Sequence, residues 1–222
     1  IIASRILGLF RQRVLAHFFG ADELSLFFAA FRLPDLVFEV LVFGTFSSAF
    51  IPVFTKSLKN KGSRHAWDIA STVVNLSLLV FAVFALILGF WAERFYSYFT
   101  PGFELADQQR IASLARILFA AQGFFVISYV LTGVLESLRR FFIPALAPLF
   151  YNLGIIFGTM FFAEKMHLLA PVFGVVIGAF AHLAIQLPFA VKLGFRFKPK
   201  IEVNDDVRKI GRLAFPRLIE TS

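Results

Sequence analysis

The chain has 222 residues, 59% of them hydrophobic and 16% charged, with 32 Phe, no Cys and a formal net charge of +8. A soluble domain carries about 25% charged residues, so this composition excludes an ordinary soluble fold and points to an all-α, polytopic membrane protein. Without cysteine there is no disulfide or thiolate chemistry.

Residues 1–19 contain SRILGLFRQRV, in which Arg5, Arg11 and Arg13 interrupt an apolar helical pattern. The run lacks the uncharged core and small-residue cleavage site of a signal peptide and is expected to be a first transmembrane helix. On a wheel of 100° per residue, Ser4, Arg5, Gly8, Arg11 and Gln12 fall within a sector of about 120°, while Arg13 projects from the opposite side.

A second helix is expected over residues 24–55. As a straight helix it would measure about 48 Å against a hydrocarbon core of about 30 Å, so it must tilt, bend or break. Pro34, Gly44 and Pro52 are its weak points, and Gly8, Pro34 and Gly44 are candidate hinges. Arg32, Asp35 and Glu39 stand at i, i+3 and i+7 and can pair internally.

Four charge-free windows follow, at 69–92, 117–135, 141–163 and 168–191. Each is long enough to cross the membrane, and they predict helices over about 67–98, 107–138, 143–163 and 169–193. A Thr100-Pro101-Gly102 turn follows the first of these, and Pro144, Pro148 and Pro171 are expected in the opening turns of the last two. Gly174, Gly178 and Ala181 suggest a close packing face. Residues 1–194 thus read as a six-helix transmembrane lobe, and 195–222 as a cytoplasmic connector with the start of a seventh helix. Opening on Ile and stopping inside a helical pattern, the chain reads as a fragment.

The loops divide sharply by charge. Segments 56–68, 136–140 and 192–212 hold thirteen Lys and Arg, whereas 20–24, 93–110 and 164–167 hold three basic residues beside six acidic ones. The positive-inside rule places the first group, and the N-terminus, in the cytoplasm, facing anionic lipid headgroups. Nucleic-acid binding is not indicated, because the basic residues are scattered over three loops.

A charge inside a membrane helix costs about 2.5–3.5 kcal/mol on insertion scales and usually marks a polar cavity. Two arginines on one face, with no acid in their own helix, suit a phosphate held by planar guanidiniums. The other reading is structural: Arg5 snorkels to the headgroups and Arg11 pairs with Asp35 or Glu39. Arg116 reads as an interface anchor, Asn152 as an interhelical hydrogen-bonder, His182 as a packing histidine, and Gln122 and Gln186 as links between helices. An enzyme is not indicated, since the four histidines are dispersed and there is no nucleophile elbow or phosphate-cradling glycine loop.

SRILGLFRQRVLAHFFGA, FFAAFRLPDL, GTFSSAFIPVF, TPGF and IPALAPLFYNLG, in that order, resemble the MviN/MurJ-type lipid II flippases of the multidrug/oligosaccharidyl-lipid/polysaccharide exporter superfamily. The resemblance implies an N-terminal lobe of a two-lobe flippase in the bacterial inner membrane, which moves an undecaprenyl-pyrophosphate-linked glycolipid by alternating access for cell wall synthesis. The partner of this lobe would be the C-terminal lobe of the same chain. Ser4, Arg5 and Arg11 match pyrophosphate-cavity positions of that family, Arg32 beside Asp35 and Glu39 would rebuild a cationic and gating cluster one turn away, and Gln12 would be a further gate or ion-pair position. No cofactor or metal is implied, and coupling to membrane potential or a cation is left open. The sequence departs from the pattern where Phe38 and Glu39 replace arginines and where Gln12, Ser25 and Phe43 replace acids. A polysaccharide or drug exporter of the same superfamily, or a transport-dead membrane scaffold, would be the alternatives.

Overall fold

A computed structural model describes residues 2–40 and 49–220, and all regular elements among them are helices. They are α1 (Ile2–Phe18), α2 (Ala21–Ala30), α3 (Arg32–Phe38), α4 (Ile51–Lys61), α5 (Ser63–Phe90), α6 (Ala92–Phe99), α7 (Leu105–Ser137), α8 (Phe142–Met166), α9 (Leu169–Lys192) and α10 (Asp205–Glu220). By length and composition α5, α7, α8 and α9 can cross a membrane. They cover the four charge-free windows to within two residues.

The single helix expected over 24–55 is divided. The break lies at Phe31, one turn before Pro34, because the proline nitrogen has no hydrogen to donate to the carbonyl four residues back, at Ala30. The buried Tyr96 hydroxyl of α6 donates to that carbonyl instead, at 2.9 Å. A proline in one helix is thus matched by a tyrosine hydroxyl from another. Residues 39–40 and 49–50 form wider π-type turns. The proposed hinge Gly44 and the departure at Phe43 lie outside the described residues.

The helix expected over 67–98 also divides, at Trp91 between α5 and α6. Beyond it the Thr100-Pro101-Gly102 turn is tied to α7, because the Gln108 amide donates to the carbonyls of Thr100 and Phe103 at 3.0 and 2.9 Å. Pro148 lies inside α8 rather than in its first turn.

Two glycine pairs bring α8 and α9 together. Gly154 and Gly158 meet Gly174 and Gly178, and a Cβ on Gly158 would stand 2.6 Å from the Gly174 Cα and 2.8 Å from the Ala170 carbonyl. Each pair is spaced by four, so the missing side chains lie on one face of each helix and the backbones can touch. The turns on either side are closed without loose carbonyls. Arg139 takes φ 59° and the Arg140 N–H donates to Leu135 at 2.8 Å, while Gly194 takes φ 107° and the Phe195 N–H donates to Ala190 at 2.9 Å.

Segment 195–204 lies along the start of α5. Ser71 exchanges hydrogen bonds with the Lys198 backbone at 3.0 and 2.8 Å, and the Asn75 amide donates to the Lys198 and Lys200 carbonyls. Lys198 also pairs with Asp68. Lys61 and His65 both reach Asp206 at the start of α10, at 2.8 and 3.0 Å. Two of the basic loops therefore meet in space.

Candidate functional site: a cavity with two arginines

A cavity of about 1260 Å³ opens between α1, α2–α3, α6 and α8. Arg11 and Leu15 of α1, Arg32, Asp35 and Leu36 of α3, and Tyr151 and Ile155 of α8 form its sides together with Glu39. Phe95, Tyr96 and Phe99 of α6 and the turn at residues 100–103 complete the wall. Arg32 and Asp35, on α3 just beyond the break at Phe31, stand on the wall of this space.

Arg11 is half-buried, and among the described residues its buried Nε has no hydrogen-bond partner. No ion pair within 4 Å joins Arg11 or Arg32 to Asp35 or Glu39 among the described residues, so neither the structural pairing of Arg11 nor the internal pairing in α3 forms. Asp35 accepts instead from the Gln122 amide of α7, at 2.5 Å. Two arginines with unspent donors on an aromatic wall can take an anionic group, with no proton transfer required.

The remaining expected site residues lie elsewhere. Arg5 and Gln12 are exposed, Ser4 and Gly8 are half-buried, and none of the four lines this cavity. Gly8 faces the Asn152 side-chain oxygen of α8, with a Cβ placed there 4.0 Å away. Pro34 is buried in α3. The wheel groups Arg5 with Arg11 on one face of α1, but only Arg11 lines the cavity.

Beside this space is a second cavity of about 280 Å³, lined by Asp35, Phe38, Glu39, Gln122, Phe125, Tyr129, Pro148, Tyr151 and His182. The two share Asp35, Glu39 and Tyr151 as walls. The arginines line only the larger one, so the carboxylates stand at the junction. Phe38, where the resemblance leads one to expect arginine, is buried against the rings of Phe125 and Tyr129.

Behind the small cavity a polar chain links α7 and α9. Thr132 donates to the Gln186 oxygen at 2.9 Å, the Gln186 amide donates to Ser128 at 2.6 Å, and the Ser128 oxygen stands 2.6 Å from His182 Nδ1. The Ser128 hydroxyl also reaches the His182 carbonyl, at 3.3 Å. Gln122 and Gln186 do link helices, and Arg116 anchors α7 through Glu93 and the Gly89 carbonyl. Asn152, by contrast, donates to Pro148 in its own helix at 3.0 Å rather than across helices.

The reading of the sequence missed Phe125, Tyr129 and Tyr151. Gln122, Phe125 and Tyr129 stand at i, i+3 and i+7, a one-face spacing that could have singled them out.

The family profile of the lipid II flippase MurJ matches residues 15–222. The chain belongs to the lipid II flippase MurJ family. A probable lipid II flippase MurJ of Buchnera aphidicola subsp. Acyrthosiphon pisum is 30% identical over 209 residues, which cover 92% of this chain and 41% of that protein. A lipid II flippase MurJ of Burkholderia cenocepacia is 30% identical over 200 residues, 84% of this chain and 37% of the relative. A solved structure of a lipid II flippase MurJ in an inward closed conformation superposes with a TM-score of 0.78 at 25% identity, covering 98% of this chain and 45% of that one. The chain spans about two fifths of the length of the curated relatives it matches. Its family and its apolar helices make it a multi-pass membrane protein.

Proposed function

We propose that this chain is the N-terminal lobe of a flippase that carries a lipid-linked peptidoglycan precursor, lipid II, across the bacterial inner membrane by alternating access. The observation that carries this reading is the cavity that brings Arg11 and Arg32 onto one aromatic wall without an ion pair between them and the nearby carboxylates. Guanidiniums so arranged suit the pyrophosphate of an undecaprenyl-pyrophosphate-linked glycolipid, and the apolar remainder of the wall suits its uncharged parts. The step is transport and makes or breaks no bond, so no enzyme chemistry is assigned.

In this reading six spans form the lobe: α1, the broken α2–α4, α5 with α6, and α7, α8 and α9. The N-terminus and the basic loops face the cytoplasm and its anionic lipids. Ser4 and Arg5 precede the cavity on α1 and receive the pyrophosphate before Arg11. Gln12, Asp35 and Glu39 act at the gate, Gly8, Pro34 and Gly44 allow the helices to move, and the second lobe closes the other side.

The test is complementation of flippase-depleted cells by the complete gene product. Arg11→Ala and Arg32→Ala should abolish rescue at unchanged membrane abundance. Growth of both at the wild-type rate would sink the assignment.

A further inference from the structure

We infer that the 280 Å³ cavity is a saccharide pocket, which takes one sugar ring of the headgroup while the pyrophosphate lies beside Arg11 and Arg32. The inference rests on the flippase reading and deepens it. The volume, about 280 Å³, is just below the range of about 300–1,000 Å³ usual for ligand sites and suits one ring-sized group rather than a whole headgroup.

The walls have the two kinds of surface that a pyranose presents. Phe38, Phe125, Tyr129 and Tyr151 supply ring faces and edges: Phe125 packs edge-on to both Tyr151, at 5.1 Å, and His182, at 5.1 Å, and Phe38 packs edge-on to Tyr129 at 5.2 Å. Such an aromatic lining meets the C–H face of a sugar. Asp35, Glu39 and Gln122 line the same pocket and bring acceptors for hydroxyl groups.

Gln122 gives the strongest indication. It is only 6% exposed, its nitrogen is spent on Asp35, and its buried Oε1 has no partner among the described residues. A buried acceptor left unmade is costly, and a hydroxyl or acetamido N–H would satisfy it. His182 adds a ring edge to the lining, with its Nδ1 2.6 Å from Ser128. The aromatic lining fits the C–H face of a neutral polyol and gives a bare cation nothing, whereas the oxygens of Asp35, Glu39 and Gln122 serve either, so the test includes sodium and potassium arms.

The pocket adjoins the arginine cavity through Asp35, Glu39 and Tyr151. In this reading a sugar joined directly to the pyrophosphate occupies it while the phosphates stay beside the arginines. The absence of a cation at Phe38 is then a specificity feature, since an arginine there would fill the pocket with a charge that the sugar does not need.

The experiment compares equilibrium binding of lipid II with that of sugar-free undecaprenyl pyrophosphate, using the complete gene product in lipid nanodiscs. Gln122→Leu and Phe38→Leu are each expected to weaken lipid II binding about tenfold and to leave undecaprenyl pyrophosphate binding within about twofold, the scale of one lost buried hydrogen bond or ring contact. Phe38→Leu keeps the site apolar and carries the test should Gln122→Leu not fold. Equal losses for both lipids, or none for either, would overturn the saccharide pocket and leave the flippase reading standing. Wild-type protein that binds neither lipid would overturn both. A loss that appears only in sodium chloride and not in potassium chloride would replace the sugar with a cation.

Discussion

Removing one hydroxyl, in Tyr96→Phe, would strand the Ala30 carbonyl, which Pro34 cannot serve and which is buried beneath α6. The expected loss is about 1–3 kcal/mol, the cost of an unmade buried hydrogen bond, seen as a lower thermal midpoint in detergent. An unchanged midpoint would mean that another donor reaches the carbonyl. The two arginines of the helical-wheel argument should also separate by experiment. Arg11 lines the cavity and Arg5 does not, so Arg5→Ala should retain more rescue of flippase-depleted cells than Arg11→Ala; equal loss would return Arg5 to the binding wall. At this scale the sequence pointed to Arg11, Arg32, Asp35 and Glu39 through their charge alone. The aromatic residues gave no such signal, because in a chain with 32 Phe a ring at a helical face is the common case.

At the scale of elements, the α8–α9 contact is the most constrained. Ala at Gly158 would push its Cβ to 2.6 Å from the Gly174 Cα, a backbone atom that no rotamer change can move away. Gly158→Ala should therefore destabilise by roughly 3 kcal/mol, the upper part of the usual overpacking range. Gly89→Ala in α5, with nothing within 4 Å of the added Cβ, should be neutral or stabilise slightly. Thermal unfolding of the two variants side by side checks the contrast, and equal midpoints would mean that the helices separate at no cost. The face of α9 was legible from Gly174 and Gly178, whereas its counterpart, Gly154 and Gly158, passed unnoticed inside a uniformly apolar run. The break at Phe31 was foreseeable as a consequence of Pro34, but its place was not. A proline disturbs the turn before it, and where that turn opens depends on which neighbour supplies the missing donor.

Across the whole molecule, α10 is held to the α4–α5 hairpin through Asp206. Hydrogen bonds from Lys61 and then His65 depress its pKa below the ordinary 3.8. A depressed carboxyl contributes its stabilisation fully above the unfolded value and loses it as pH falls through the lower folded value. Docking of α10 should therefore hold at neutral pH and loosen below about pH 3.8, and Asp206→Asn should loosen it at every pH. The cysteine-free chain allows a direct measurement, with spin labels at Asn60→Cys and Lys209→Cys and their separation followed from pH 7 to pH 3. A distance that does not change, in either the acid titration or the Asn variant, would remove the Asp206 contact as the latch.

The sequence by itself determined the class of the protein and its four long apolar helices, because hydrocarbon thickness and the cost of buried charge act on composition and spacing alone. It also marked the charged residues of α1 and α3 as costly enough to need a reason. Only the tertiary structure decided which of them share a cavity, that Asp35 goes to Gln122 instead of an arginine, and that Phe38 closes an aromatic pocket beside it. Those outcomes depend on the packing of α3 against α7 and on the closeness of α8 to α9. Both are set by contacts between residues far apart in the chain, which no local pattern encodes.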